Sequence, residues 1–156
     1  MIAVEIPGRG RLELRQLALD LNGTLAADGR VPADVIDRLK ELGQALTVHV
    51  FTADTFRSAA SLDAPGIRVV LLAPGAQVEA KAAAVRELGG ASTVAIGNGL
   101  NDEGMLREAA LGIVIIGREG AAVRSLLAAD LVVTSIQDGL DLLRFPTRLI
   151  ASLRTA

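Results

Sequence analysis

The chain has 156 residues, of which 51% are hydrophobic and 22% charged, and its formal net charge is -2 at pH 7. This composition is typical of a packed domain and excludes a disordered or fibrous chain, so we expect one domain over residues 1–156. The small net charge and the lack of a Lys/Arg stripe argue against nucleic acid as the main partner. With no cysteine and one histidine, a metal ion would have to be held by oxygen ligands.

The apolar segments predict neither a membrane span nor a secretion leader. The longest apolar run, residues 109–117, has nine residues, whereas a bilayer-spanning helix needs roughly 18 or more. The first ten residues contain an acidic side chain and an early Pro-Gly pair, and they lack the apolar core of a signal peptide. We therefore expect a cytoplasmic protein with no membrane partner.

In chain order, the first segment predicts a β-hairpin, with strands at residues 4–6 and 11–14 around a turn-rich joint. Short, continuous apolar runs then predict strands buried on both faces, at residues 17–21, 46–51, 67–72, 93–96, 113–116 and 131–133. Apolar residues at helical spacing predict helices at residues 32–43, 55–62, 76–88, 102–110, 121–128 and 146–153. This alternation predicts an α/β fold with a doubly wound, three-layer, mainly parallel Rossmann-like sheet.

The first buried strand ends in a carboxylate. Asp20 is followed by Asn22, Gly23 and Thr24, at the edge of the sheet where ligands of open parallel sheets gather. A carboxylate, a glycine that lets the backbone turn and a hydroxyl could together support attack on phosphorus. The same segment is also a common tight turn.

Three further groups follow later strands. Thr52 and Ala53 end the second buried strand, and Lys81 lies in the helix after the third. Residues 97–102, Gly-Asn-Gly-Leu-Asn-Asp, follow the fourth strand and offer the oxygen ligands that Mg²⁺ prefers. Lys81 is one of two lysines among sixteen Lys and Arg residues, which suits a position where a compact charge must meet a phosphate.

With these motifs the chain resembles the haloacid dehalogenase (HAD) superfamily, and within it the isolated, capless phosphorylation domain of P-type ATPases, the soluble P-type ATPase-like group. The resemblance covers about residues 17–143 and is strongest at residues 97–106 with the apolar run after them. P-type ATPases carry a nucleotide-binding domain between their first two motifs, but here Asp20 and Thr52 are only 32 residues apart. The 29 residues from Thr52 to Lys81 likewise leave no room for a cap domain.

The resemblance implies an aspartyl phosphate on Asp20, phosphoryl binding by Thr52 and Lys81, and a Mg²⁺ cofactor placed with the help of Asp102 and the backbone carbonyl of Asn22. The candidate residues are, for catalysis, Asp20, Asn22, Thr52 and Lys81; for phosphate, Asp20, Gly23, Thr24, Thr52, Ala53 and Lys81; and for the metal, Asp20, Asn22, Asn98 and Asp102. The expected partner is a phosphorylated small molecule or ATP. A capless, open site would also admit a protein substrate or be covered by a neighbouring subunit in a homo-oligomer.

Two positions depart from the phosphatase pattern. Asn22 stands where phosphatases of the superfamily have an acid/base Asp, and an amide cannot exchange that proton. Asn98 stands where they have a Mg²⁺-binding Asp, so metal binding should be weaker. We predict a slow phosphohydrolase that favours good leaving groups, and the alternative is a non-catalytic phosphate-binding or regulatory module. Both positions are Asn-Gly pairs, so deamidation that restores an acid is a further hypothesis.

Other polar residues receive structural interpretations. His49 lies on a buried strand without an evident acid or nucleophile beside it, so we expect a structural side chain. Asp54 could cap the next helix, and Glu103 could favour a helix start or orient metal-bound water. Arg118 and Glu119 follow the fifth strand, where we expect a solvated pair.

Overall fold

The computed structural model describes residues 1–53 and 59–156. Its strands are β1 (Ile2–Ile6), β2 (Gly10–Leu14), β3 (Gln16–Asp20), β4 (Thr47–Thr52), β5 (Ile67–Leu71), β6 (Thr93–Gly97), β7 (Leu111–Ile115) and β8 (Leu131–Val133). Its α-helices are α1 (Ala33–Leu42), α2 (Gln77–Leu88), α3 (Glu103–Glu108), α4 (Val123–Ala128), α5 (Ile136–Arg144) and α6 (Thr147–Leu153). Among the helices in these ranges, none is long and apolar enough to cross a membrane.

The central sheet of the described chain has six parallel strands in the order β5-β4-β3-β6-β7-β8. The chain moves outward from β3 to β4 and β5, and then returns to form β6 on the other side of β3. This reversal of strand order lies between β3 and β6, so their carboxyl ends flank the crevice where α/β folds bind ligands. Asp20 ends β3 and Asn98 directly follows β6.

The predicted N-terminal hairpin is confirmed. Strands β1 and β2 pair antiparallel, from Ile2 opposite Leu14 to Ile6 opposite Gly10. The turn is closed by a 3.0 Å hydrogen bond from the Arg9 amide to the Ile6 carbonyl, and Gly8 has a φ of 81°, which favours glycine. The hairpin forms a separate two-stranded sheet before the chain enters β3.

Both faces of the central sheet are covered, as continuous apolar strands require. Leu17 and Leu19 of β3 pack in one core cluster with residues of α1 and α5. Ala18, between them, faces a second cluster that includes Val85 of α2 and Met105 of α3. Burial on both faces fixes the backbone of β3, and it therefore fixes the position of Asp20 at its end.

Helix α5 was missing from the prediction. Ser135 caps it, because its hydroxyl accepts a 3.0 Å hydrogen bond from the Asp138 amide. The helix buries Ile136, Leu140 and Leu143, and the Asp138-Gly139 pair inside it is a turn signal in sequence. The other predicted elements occur with ends shifted by one or two residues, except that the predicted helix 55–62 falls partly outside the described residues and its described part, Ala59–Leu62, is a 3₁₀ turn.

Candidate active site

A buried ammonium group between two carboxylates forms the centre of the site. Lys81, in the second turn of α2, is only 1% exposed. Its Nζ donates hydrogen bonds of 2.6 Å to Asp20 Oδ1 and 2.6 Å to Asp102 Oδ1. An ammonium group this deeply buried is stable only when it is paired. The structure therefore brings together three of the predicted site residues from three separate segments of the chain.

This arrangement shifts two pKa values. Burial raises the pKa of Asp20 from its usual 3.8 to about 6, and the charge of Asp102 acts in the same direction while Lys81 opposes it. Burial alone would lower the pKa of Lys81, but the two carboxylates outweigh that effect and raise it. Lys81 is thus a permanent cation, and Asp20 is predominantly ionised above pH 6 in the metal-free protein.

Asp102 organises the loop after β6. Its Oδ2 accepts hydrogen bonds from the backbone amides of Asn98 at 2.9 Å and Gly99 at 3.0 Å, while its Oδ1 accepts from Lys81. A β-carbon at Gly97 would lie 2.6 Å from the Asp102 carboxyl carbon, so only glycine leaves space for this side chain. Asp102 is fully buried, and in the metal-free structure both of its oxygens accept hydrogen bonds.

Thr24 links the two strand ends. Its Oγ1 lies 3.4 Å from Asp20 Oδ2 and 3.3 Å from Asn98 Oδ1. The chain can place the hydroxyl there because Gly23 has a φ of 78°. The Asp20 oxygen that does not contact Lys81 therefore faces the Asn98 side-chain oxygen across one hydroxyl group.

A cavity of about 370 Å³ opens above these residues. Five predicted residues line it: Asp20, Asn22, Thr52, Ala53 and Asn98. Four others lie outside its lining, namely Gly23, Thr24, Lys81 and Asp102. The predicted residues thus divide between the oxygen-rich wall of the cavity and positions behind that wall.

Gln77 and Glu119 are among the residues of the cavity wall that were not predicted to belong to the site. Gln77 stands one helical turn before Lys81, so the spacing of four residues in α2 could have identified it. Glu119 was expected to form a solvated pair with Arg118. Both side chains are exposed, but among the described residues the two form no ion pair, and Glu119 turns toward the cavity.

The donor atoms at the cavity suit a hard divalent cation, because Asp20, Asn98 and the Asn22 backbone all offer oxygen. Asp20 Oδ2 and Asn98 Oδ1 face the same hydroxyl, which places them on one side of the cavity. Within the described ranges, however, no three Asp, Glu or His side chains gather as a metal-binding group. The residues fit a Mg²⁺ site that is poor in carboxylates, in line with the weak binding predicted from Asn22 and Asn98.

His49 and Glu103 have structural partners. His49 Nε2 lies 2.9 Å from Gln16 Oε1, which confirms the structural interpretation. Glu103 pairs with Arg107 at 2.8 Å and Arg124 at 2.9 Å, so its carboxylate ties α3 to α4. The predicted helix cap at residue 54 lies outside the described residues.

The Asn-Gly pairs are both hydrogen-bonded in ways that oppose deamidation. That reaction requires the backbone nitrogen after the asparagine to attack the asparagine side chain. The Gly23 nitrogen donates to the Ala26 carbonyl at 3.1 Å, and the Gly99 nitrogen donates to Asp102 at 3.0 Å. The hypothesis of a restored acid therefore loses support.

Comparison with known proteins supports the fold. No protein-family model matches the chain. An uncharacterized protein of Methanocaldococcus jannaschii is 52% identical over 61 residues, which is 39% of this chain and 66%, just under two thirds, of that protein.

Three solved structures have the same fold at low sequence identity. The 3-deoxy-D-manno-octulosonate 8-phosphate phosphatase of Moraxella catarrhalis, solved with magnesium, phosphate and KDO, has a TM-score of 0.68 and 17% identity, covering 89% of this chain and 90% of its own. The cobalt-bound deoxy-D-mannose-octulosonate 8-phosphate phosphatase of Haemophilus influenzae has a TM-score of 0.68 and 15% identity over 92% and 94% of the two chains. A putative HAD family hydrolase of Streptomyces avermitilis has a TM-score of 0.61 and 19% identity over 91% and 85%.

The mainly parallel six-stranded sheet and the N-terminal hairpin match the fold of these structures. Over the ranges that the structure describes, the chain has the haloacid dehalogenase superfamily fold without a cap domain.

Proposed function

We propose that this chain is a magnesium-dependent phosphohydrolase that forms an aspartyl phosphate on Asp20. We also propose that it is a soluble relative of the P-type ATPase phosphorylation domain and transports nothing. The observation that supports the reaction most is the pair of 2.6 Å contacts from Lys81 Nζ to Asp20 and Asp102 beside the cavity. A fixed ammonium beside a carboxylate can stabilise the negative charge of a transferring phosphoryl group.

In the proposed reaction, a carboxylate oxygen of Asp20 attacks phosphorus. The bond between phosphorus and the leaving oxygen breaks, and the leaving oxygen keeps the bonding electron pair. Water then attacks the phosphorus of the aspartyl phosphate, and the bond to Asp20 breaks with its electron pair returning to the carboxylate. Inorganic phosphate leaves with the water oxygen and one water proton, and the second water proton reaches the leaving oxygen through solvent. Lys81 holds the Asp20 carboxylate in place throughout, which is the positioning that phosphoryl transfer chiefly requires.

The remaining residues would bind the phosphoryl group and the metal ion. The Thr52 hydroxyl and the backbone amides of Gly23, Thr24 and Ala53 would donate hydrogen bonds to the phosphoryl oxygens. Asp20, Asn98 and the carbonyl of Asn22 would hold Mg²⁺, which neutralises phosphoryl charge when it is bound. We propose that Asp102 positions Lys81 and the loop after β6 and does not bind the metal directly.

The substrate class follows from the amide at Asn22. Because this side chain cannot donate a proton to the leaving oxygen, good leaving groups are favoured. We propose aryl phosphates, acyl phosphates and nucleoside triphosphates such as ATP ahead of alkyl phosphates such as sugar phosphates. The cavity opens to solvent, so a phosphorylated protein is a further class of substrate.

Restoring a carboxyl group with Asn22→Asp should raise turnover of an alkyl phosphate. General acid catalysis typically contributes about 10² to 10⁴-fold, and we expect at least the lower part of that range. Hydrolysis of an aryl phosphate should change much less, because its leaving group needs little proton donation. Steady-state phosphate release from both substrates measures this contrast.

Asn101→Asp is the matched control, since it adds the same charge to the wall of the same cavity. Alkyl phosphate hydrolysis should not rise in this variant. An equal rise in the two variants would refute the missing-acid explanation, because added charge alone would then account for it.

The proposed function is tested by incubating the full chain with an aryl phosphate and with ATP. We expect phosphate release that needs Mg²⁺, that stops when a chelator is added and that returns when Mg²⁺ is restored. The rival is a non-catalytic phosphate-binding module, which Asn22 and Asn98 favour. Calorimetric binding of phosphate without release from any tested substrate would support the rival and contradict the proposal.

A further inference from the structure

Two hydrogen bonds tie the turn after β7 to the loop after β6, and a third closes the turn itself. The Gly120 amide donates to the Gly117 carbonyl at 3.0 Å and closes a tight turn. The Ala122 amide donates to the Asn98 carbonyl at 2.9 Å, and Asn98 Nδ2 lies 3.5 Å from the Gly120 carbonyl. Glu119, in the middle of this turn, is therefore held next to Asn98.

The carboxylate of Glu119 reaches across the cavity to the loop after β3. A β-carbon built on Gly23 would collide with Glu119 Oε2, and it would lie 3.0 Å from Asn98 Nδ2 and 3.2 Å from Asn98 Oδ1. These three residues therefore share one small space. Glu119 lines the same cavity wall as Asp20 and Asn22, and it makes no hydrogen bond or ion pair with any residue that the structure describes.

The other proposed cation ligands supply little negative charge, so the Glu119 carboxylate could contribute to cation binding. Asp20 and Asp102 share the single positive charge of Lys81, so Lys81 does not fully balance the formal charges of these two carboxylates. The other proposed metal ligands, Asn22 and Asn98, are neutral. Hard divalent cations bind more tightly as the number of carboxylate ligands rises, and Glu119 is a further carboxylate beside Asn98, one that Lys81 does not neutralise.

We propose that Glu119 is the second carboxylate of the cation site, in place of the acidic side chain that position 98 lacks. The inference rests on the proposed function, because it assigns a ligand to the same Mg²⁺ site. It explains how a chain with an amide at position 98 retains a site for a divalent cation. It also gives a reason for Gly23, since any side chain there would occupy the position of the Glu119 carboxylate.

The test is Mg²⁺ binding to the metal-free full chain, measured by isothermal titration calorimetry without substrate. Glu119→Gln should weaken binding by about 10 to 100-fold, and Glu119→Ala should do the same. Glu87→Gln is the control, because it removes the same charge from an exposed position on α2 and should leave affinity unchanged. Adding Asn98→Asp to Glu119→Gln should restore most of the lost affinity, which a general loss of structure would not allow.

The outcomes separate this inference from the proposed function. Equal Mg²⁺ affinities in the native chain and Glu119→Gln would overturn the inference and leave the phosphohydrolase proposal standing. A variant that keeps its Mg²⁺ affinity but loses turnover would also overturn it, because Glu119 would then act on the substrate. A native chain that neither binds Mg²⁺ nor releases phosphate would remove the proposed function together with the inference.

Discussion

Asp20→Asn should reduce Mg²⁺-dependent phosphate release from an aryl phosphate by at least about 10³-fold. The amide keeps the size of the side chain but loses the negative charge and the nucleophilic oxygen. Lys81 would still pair with Asp102, so the fold around the site should survive. Steady-state rates, together with a thermal melt that shows a folded variant, measure the effect.

The control for this substitution is Asp37→Asn, which makes the same chemical change at an exposed position of α1. Its rates should match those of the native chain. Equal rates in Asp20→Asn and the native protein would show that the buried carboxylate is not the nucleophile. That outcome would favour the non-catalytic phosphate-binding module, or chemistry elsewhere in the chain.

Lys81→Met should have the second large effect, on stability as well as on turnover. Removing one partner of a buried ion pair typically costs about 3 to 5 kcal/mol, because the other charge stays buried without compensation. Here two carboxylates lose their shared cation. Turnover should fall by about 10²-fold or more, because a positioned cation that stabilises transition-state charge is lost.

The stability loss should depend on pH. Lys81 lowers the pKa of Asp20 against burial and against Asp102, so its removal moves that pKa upward from about 6. A raised folded-state pKa means that folding favours the protonated form, and stability falls as pH rises through that value. The free energy of unfolding of Lys81→Met should therefore fall furthest below that of the native chain above pH 6. The difference should shrink at lower pH, when Asp20 is protonated in both proteins.

Urea denaturation of the metal-free protein at several pH values measures this dependence. Lys40→Met is the natural control, since Lys40 is the other lysine of the chain and is exposed at the end of α1. It should change stability by less than about 0.5 kcal/mol at every pH. If the free energy of unfolding of Lys81→Met stayed below that of the native chain by the same amount at every pH, Lys81 would not be lowering the pKa of Asp20.

Local patterns in the sequence were sufficient to predict the part of the site that lies at strand ends. Parallel strands buried on both faces must be continuously apolar, so the first polar residue after such a run marks the edge of the sheet. This is how Asp20, Thr52 and Asn98 could be placed at one edge. The role of Lys81 could be predicted for another reason, since a rare lysine in an arginine-rich chain indicates a special environment.

Contacts between distant segments of the chain could not be predicted from local sequence patterns. Glu119 meets Gly23 only because the turn after β7 is hydrogen-bonded to the loop after β6, and no spacing in the sequence encodes that. Asp102 was predicted to help place the metal, and in the metal-free structure its oxygens accept hydrogen bonds from Lys81 and two backbone amides. Which acceptors a carboxylate has left depends on the folded loop, so this role required the structure.

The most direct test of the account is to look for the phosphoryl group on Asp20. The protein would be mixed with Mg²⁺ and an aryl phosphate, quenched in acid during turnover and mapped by peptide mass spectrometry. We expect one added phosphoryl group on the peptide that contains Asp20, and we expect hydroxylamine to remove it, as it does from acyl phosphates. Steady turnover with no phosphoryl group on that peptide, or with the group on another residue, would contradict the account.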